Sequence, residues 1–324
     1  MTDDSSAFRH DPVMATEIVA VFASVPSGVI LDATLGGGGH SVALLRARPD
    51  VRILGLDRDP SALHAARRAL AEFGDRVMTF HCRFDALRTA MEAMNVPSLS
   101  GALFDLGVSS HQLDTAERGF SYRQRAALDM RMDPTAPWSA ADVVNGYDEH
   151  SLARVLRTYG DERFAARIAR AIVAARPIDD TVTLAQVVTA AIPAAARRTG
   201  GHPAKRTFQA IRIEVNAELD ALPGAIDAAI EALEPTGRIA VLSYHSGEDR
   251  IVKERLRTAS TGGCTCPVGL PCVCGAVRTV RLVRAPRTPS SSEVDTNRRA
   301  ASARLRVAEK LDPASDGRLT GTAR

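Results

Sequence analysis

Short apolar runs alternate with helical spacings along the first third of the chain. Val29 to Ala33 and Val51 to Leu56 have the length and apolar content of buried strands. So do Val77 to Cys82 and Ala102 to Leu106. Between them, Ser41 to Arg48 and Pro60 to Phe73 repeat their apolar residues at helical spacing, the second with Pro in its first turn. Strands alternating with helices predict an α/β fold built on a parallel, Rossmann-like sheet.

The pattern changes after the fourth strand. From about Ser109 to Leu233 the chain offers helices only: Ser151 to Thr158, Glu162 to Arg176, Thr183 to Ile192, Thr207 to Leu219 and Pro223 to Leu233. Strand character returns at Arg238 to Tyr244, with one late strand at Thr279 to Arg284. A crossover between neighbouring strands needs only a dozen or so residues, and long structureless loops are rare. The sequence therefore predicts a discontinuous sheet domain, residues 1–108 and 234–310, interrupted by a helical subdomain at 109–233. Residues 311–324 read as a disordered tail.

Composition narrows this only in places. A 45% hydrophobic content over 324 residues can bury one large core or two ordinary ones. A net charge of +3 says little, but only Lys205, Lys253 and Lys310 among the 41 basic residues are lysine. Arginine grips phosphate with two donors and stacks on bases, although genomic bias produces the same excess. The acidic, polar start MTDDSSAFRH does not read as a signal peptide, and no apolar run reaches membrane-span length. The expectation is a soluble, cytoplasmic protein without a membrane partner. Four of the five cysteines crowd into Cys264, Cys266, Cys272 and Cys274, unlike a secreted disulfide framework. Four thiols suit zinc, but C-x-C pairs are tighter than the usual C-x₂-C, so reduced thiols and no metal are expected.

Two motifs sit at carboxyl ends of strands, where open α/β sheets bind ligands. The first is Asp32-Ala-Thr-Leu-Gly36-Gly-Gly38-Gly-His40. Glycines there admit a ligand close to the backbone. Asp57, about twenty residues on, is placed to accept from ribose hydroxyls. The dinucleotide pattern G-x-G-x-x-G fails, since Ser41 or Val42 falls at its third glycine, and no Walker lysine is present. An acidic residue, three spacers and G-x-G resemble instead an adenosylmethionine loop. The second motif is Asp105-Leu-Gly-Val-Ser-Ser110 after the fourth strand. Amino-group methyltransferases keep a short polar motif here, and an Asp accepting from an exocyclic N–H would orient the nitrogen for in-line attack. Asp105 capping a turn is the plainer alternative. Carbon-5 methylation of cytosine would need a cysteine nucleophile. Cys82 reads instead as a small buried apolar residue.

These motifs, followed in order by Glu117-Arg-Gly-Phe-Ser121, Leu128-Asp-Met-Arg-Met-Asp133, Tyr159-Gly-Asp-Glu-Arg-Phe164, Arg206-Thr-Phe-Gln-Ala-Ile-Arg212, Ser243-Tyr-His-Ser-Gly-Glu-Asp-Arg250 and Ser302-Ala-Arg-Leu-Arg306, resemble the bacterial RsmH (MraW) family. That family comprises the 16S ribosomal RNA cytosine-N4 methyltransferases. The resemblance implies a class I methyltransferase domain with an S-adenosyl-L-methionine site at Gly38, Gly39, His40, Asp57, Phe84, Asp105 and Gln112, to which the loop reading adds Gly36. It implies as target a cytidine in the decoding region of small-subunit RNA, within the assembled or assembling 30S subunit. The helical insertion would help hold the RNA. The chain departs from the family with Tyr244 where Phe is common, Gly247 where Leu is common, and Asn297-Arg-Arg-Ala-Ala-Ser302 in place of Asn-Pro-Arg-Ala-Arg-Ser.

On this reading Asp105, Ser109 and His245 are the expected catalytic group. Asp129, Arg131, Lys205, Arg206, Arg212 and Tyr244 are the expected RNA contacts. For the basic cluster a solvated helix face is the competing explanation. An NAD-dependent oxidoreductase, a non-catalytic RNA-binding protein and a DNA amino-methyltransferase are the other functional classes. The oligomeric state stays open between monomer and homodimer.

Overall fold

The computed structural model describes residues 12–198, 201–267 and 273–312. Its contacts divide the chain into two compact units, Met1–Gly107 with Ala221–Arg324, and Val108–Asp220. The expected disordered tail falls mostly outside the described residues, as does Cys272.

The first unit is a seven-stranded sheet. Its strands are β1 (Gly28–Asp32), β2 (Val51–Asp57), β3 (Val77–His81), β4 (Leu99–Asp105), β5 (Leu233–Ser243), β6 (Val280–Val283) and β7 (Arg304–Lys310). They lie in the order β3-β2-β1-β4-β5-β7-β6. The first five are parallel, and β7 runs antiparallel between β5 and β6. The chain builds outward from β1 to β3 and then returns to the other side of β1, so the direction of winding reverses between β1 and β4. That switch point is where a Rossmann-like sheet opens a crevice at its carboxyl edge.

Strand periodicity sends neighbouring residues to opposite faces. Leu31, Leu54, Phe104 and Val241 share one core cluster, and Ile30, Ile53, Leu103 and Leu242 share another. Helices α1 (Ala15–Phe22), α2 (Gly39–Ala47) and α3 (Pro60–Ala69) supply the second cluster with residues such as Ile18, Leu44 and Leu63. Helix α4 (Leu87–Ala93) supplies Leu87 and Ala90 to the first. Covered on both faces, β1 and β4 are almost continuously buried, which is why they read as unbroken apolar runs.

The second unit is helical: α5 (Ser110–Asp114), α6 (Ala140–Gly146), α7 (Glu149–Gly160), α8 (Ala165–Ala174), α9 (Thr181–Ala191) and α10 (Lys205–Asn216). Leu152, Val155 and Leu156 of α7 pack with Ile168 and Ile172 of α8 and Phe208 and Ile211 of α10. Among its described residues the only β pairing is the single bridge Ala127–Asp180.

Three expectations need correction. The insertion ends at Asp220, not at 233. Helix α11 (Glu218–Ala232) sends Leu222, Ala225, Ile226 and Ala229 into the sheet's core, so most of it belongs with the sheet. A helix between helical and sheet units carries no mark in its own periodicity of which core it serves. Helix α12 (Ser246–Thr261) has no counterpart among the expected helices and runs to a Gly262 in the left-handed conformation. Last, β7 escapes sequence reading because four of its seven residues are charged. One of those charges is paired across strands: Glu309 accepts from Arg238 on β5 and from Arg281 on β6, each through Nε at 3.0 Å. Helix α13 (Ser291–Thr296) precedes it.

Candidate active site

The ends of β1 and β4 are tied together before any ligand arrives. The Asp105 backbone N–H donates to Thr34 Oγ1 at 2.6 Å, and Ala33 N–H to the Leu103 carbonyl at 2.8 Å. The loop after β1 then turns through Gly36 (φ 52°) and Gly38 (φ 81°), left-handed positions that favour glycine, and enters α2 at Gly39. A Cβ on Gly37 would meet nothing within 4 Å, so the crest of the loop is open.

Asp57 ends β2 facing this loop. Its Oδ2 accepts from the Gly36 N–H and its Oδ1 from the Asp59 N–H, both at 2.8 Å. The half-buried carboxyl is held above its ordinary range by burial, against the pull of those two N–H groups. Each oxygen keeps a lone pair for a further donor.

Asp105 ends β4 at the centre of the site. Tyr244, at the end of β5, donates its hydroxyl to Asp105 Oδ1 at 2.6 Å. His40 Nε2 lies 3.4 Å from Asp105 Oδ2, an ion-pair distance rather than a well-formed hydrogen bond. The His40 ring is 6% exposed, and its Nδ1 has no hydrogen-bond partner among the described residues. Burial opposes charge on this imidazole, yet the neighbouring Asp105 and Asp32 outweigh it and lift its pKa. Behind it, Asp32 is 2% exposed and accepts from Ser41 Oγ at 2.6 Å. Burial pushes its carboxyl up to about 6, although Ser41 and His40 pull the other way. The Tyr244 phenol is raised well above its usual range, by burial first and then by Asp105, so it stays a donor at neutral pH.

The remaining expected residues divide. Phe84 packs in the sheet core, edge-on to Phe104 at 6.0 Å between centroids. His245 does not join Asp105. It is the N-cap of α12: its ring faces Glu248, with Nε2 3.1 Å from Oε1 and the Glu248 N–H pointing at Nδ1 (3.4 Å). Glu248 Oε2 in turn accepts from the Tyr244 N–H at 2.7 Å. His245, expected in the catalytic group, caps α12, and Tyr244, expected on RNA, is the residue whose side chain reaches the Asp105 carboxylate.

In the second unit Ser109 and Gln112 bond each other reciprocally, Ser109 N–H to Oε1 and Gln112 N–H to Oγ. The run Asp129 to Asp133 is explained by its alternation. Met130 and Met132 are buried, and Asn216 clamps them through Nδ2 to the Met130 carbonyl and Oδ1 from the Met132 N–H. Asp129 and Arg131 point the other way and form a two-point ion pair. Arg212 is corrected outright. Its guanidinium makes two bonds to Glu218, at 2.8 and 3.0 Å, with the side chains only 14% and 8% exposed. A fork so engaged has turned away from phosphate. Lys205 and Arg206, at the start of α10, are exposed. Tyr122 stacks on His202 at 4.3 Å.

Sequence reading missed Thr34, Asp32, Ser41 and Glu248. Only Asp32 carried a signal, as the acidic residue three spacers before G-x-G.

The open loop crest, the facing Asp57 and the partnerless His40 Nδ1 fit a nucleoside ligand carrying a charged group. Cys82, by contrast, is pushed up to about 11 by burial, with Asp85 and Asp57 adding to it. Burial thus disfavours the thiolate that a nucleophilic role needs.

The MraW methylase family model matches residues 7–311. A protein named "Ribosomal RNA small subunit methyltransferase H" from Symbiobacterium thermophilum is 48% identical over 318 residues, covering 96% of this chain and all of that one. Proteins of the same name from Saccharopolyspora erythraea and Salinispora tropica are 50% and 53% identical. They cover 96% and 90% of this chain, and 96% and 79% of their own lengths.

Proposed function

The chain belongs to the MraW methylase family, adenosylmethionine-dependent methyltransferases, and from this premise we propose that it methylates the exocyclic N4 of a cytidine in the decoding region of 16S ribosomal RNA. The observation that carries the reading is the Asp105 carboxylate, set at the switch point beside the glycine loop and held by Tyr244 and His40.

S-adenosylmethionine, when bound, supplies an electrophilic methyl group. The protein's part is placement. Gly36 to Gly39 let the ligand approach the backbone, and Asp57 accepts from its ribose hydroxyls. Asp105 accepts from one N–H of the cytosine amine, which aims the nitrogen lone pair at the methyl carbon. Nitrogen then gains the methyl and sheds a proton, so no covalent enzyme intermediate is needed. Placement of this kind supplies up to ~7–11 kcal/mol of the barrier. The protonated Cys82 disfavours the carbon-5 route, which requires a thiolate. The helical unit takes the RNA, with exposed Lys205 and Arg206 on phosphate.

The test is transfer of labelled methyl to small ribosomal subunits, protein-free 16S RNA and DNA, followed by nucleoside mass analysis. N4-methylcytidine from ribosomal samples is the expected product, with the 30S subunit as the better substrate. 5-Methylcytidine, or label in DNA alone, refutes the proposal.

A further inference from the structure

Among its described residues, the connection between α12 and β6 leaves large apolar side chains exposed. Val273 is 88% exposed and Val277 55%. Its two arms nevertheless meet backbone to backbone. A Cβ on Gly262 would fall 2.6 Å from the backbone of Val277, and the Thr279 N–H donates to the Ala259 carbonyl at 3.0 Å. Gly262, left-handed, ends α12, and the Gly263 and Cys264 N–H groups fold back onto Thr258 and Thr261. This arch carries Cys264 and Cys266 on one arm and Cys274 on the other.

The three sulfurs converge. Their Sγ atoms all lie within 4.8 Å of one another, and Cys264 and Cys274 are 3.6 Å apart. Zinc–thiolate bonds of about 2.3 Å in a tetrahedron place their sulfurs about 3.8 Å apart. The C-x-C spacing that argues against metal in the sequence is answered by geometry, because the third ligand arrives from the opposite arm. Soft thiolates select zinc over the oxygen-seeking cations. A small element with little buried apolar surface is also the kind that metal ligation holds in shape.

We propose that Cys264, Cys266 and Cys274 supply three of the four ligands of a structural zinc ion that clamps the α12–β6 connection. Each thiol releases its proton to solvent as its sulfur takes up the metal, so binding weakens as pH falls. This site is separate from the methyl-transfer centre and does not depend on the proposed substrate.

The test is zinc content of the full-length protein, purified under reducing conditions without chelator, measured by plasma mass spectrometry. A stoichiometric amount is expected in the wild type and in Cys82→Ser. Cys264→Ser, Cys266→Ser and Cys274→Ser should each lose most of it. Cobalt added to the chelator-stripped wild type should produce a thiolate-to-cobalt charge-transfer band, a readout that needs no variant to fold. A wild type that neither holds zinc nor takes cobalt overturns the proposal. So does zinc retained by all three variants.

Discussion

The Tyr244 hydroxyl donates to Asp105 Oδ1 at 2.6 Å, joining the ends of β5 and β4 across 139 residues of sequence. His40 Nε2 lies 3.4 Å from the other oxygen, at ion-pair distance. A phenol that remains protonated is a fixed donor, and a hydrogen bond to a charged acceptor is worth about 1.5–3 kcal/mol. Tyr244→Phe should therefore lower kcat about tenfold while leaving adenosylmethionine affinity nearly unchanged, as the phenol lies on the carboxylate and not on the glycine loop. Steady-state kinetics with calorimetry checks this, and a variant with wild-type kcat removes Tyr244 from the positioning role.

Asp57 serves two masters. It holds the loop through the Gly36 N–H and offers its remaining lone pairs to a ligand. Asp57→Ala should weaken adenosylmethionine binding by roughly 2 kcal/mol, about thirtyfold, in isothermal calorimetry. Unchanged affinity would mean that the ribose is bound elsewhere.

Asp32 sets a pH dependence of stability. Its carboxyl titrates at about 6 in the folded protein and near 3.8 when unfolded. Below about 4 the group is protonated in both states. As pH rises to about 6 the unfolded chain ionises first, and folding loses roughly 3 kcal/mol, constant at higher pH. Asp32→Asn, whose carbonyl can still accept from Ser41, should match the wild type near pH 4 and exceed its stability at pH 7. Denaturation curves that stay parallel across this window would contradict the burial argument.

The basic residues of α10 should separate by role. Arg212→Ala leaves Glu218 buried without its partner and should cost about 3–5 kcal/mol of stability. Lys205→Ala and Arg206→Ala should leave stability within about 0.5 kcal/mol. They should each reduce the slope of log affinity for RNA against log salt by about one. Chemical denaturation and salt-dependent RNA titration read the two effects independently.

Much of this was legible in the linear chain, for a physical reason. The glycine loop, Asp57 and Asp105 all sit at strand ends, where local pattern fixes topological position. The contacts that complete the site are not local. Tyr244 reaches Asp105 and Thr34 ties β4 to β1, neither of which periodicity announces. Charge misled twice. Glu309 and its arginine partners hid the strand character of β7, and Arg212 looked like a phosphate ligand while its fork was already filled by Glu218. A charged residue's sequence says what it can bind, and only the fold says whether a partner is already there.

The central claim is that Asp105 aims the amine, beyond any part it has in holding the cofactor. Single-turnover methyl transfer by Asp105→Ala, with adenosylmethionine affinity measured on the same protein, tests it most directly. The account predicts a rate lowered by roughly 10²-fold or more, with affinity reduced far less. A variant that transfers methyl at the wild-type rate, or whose loss is fully explained by lost cofactor affinity, would contradict it.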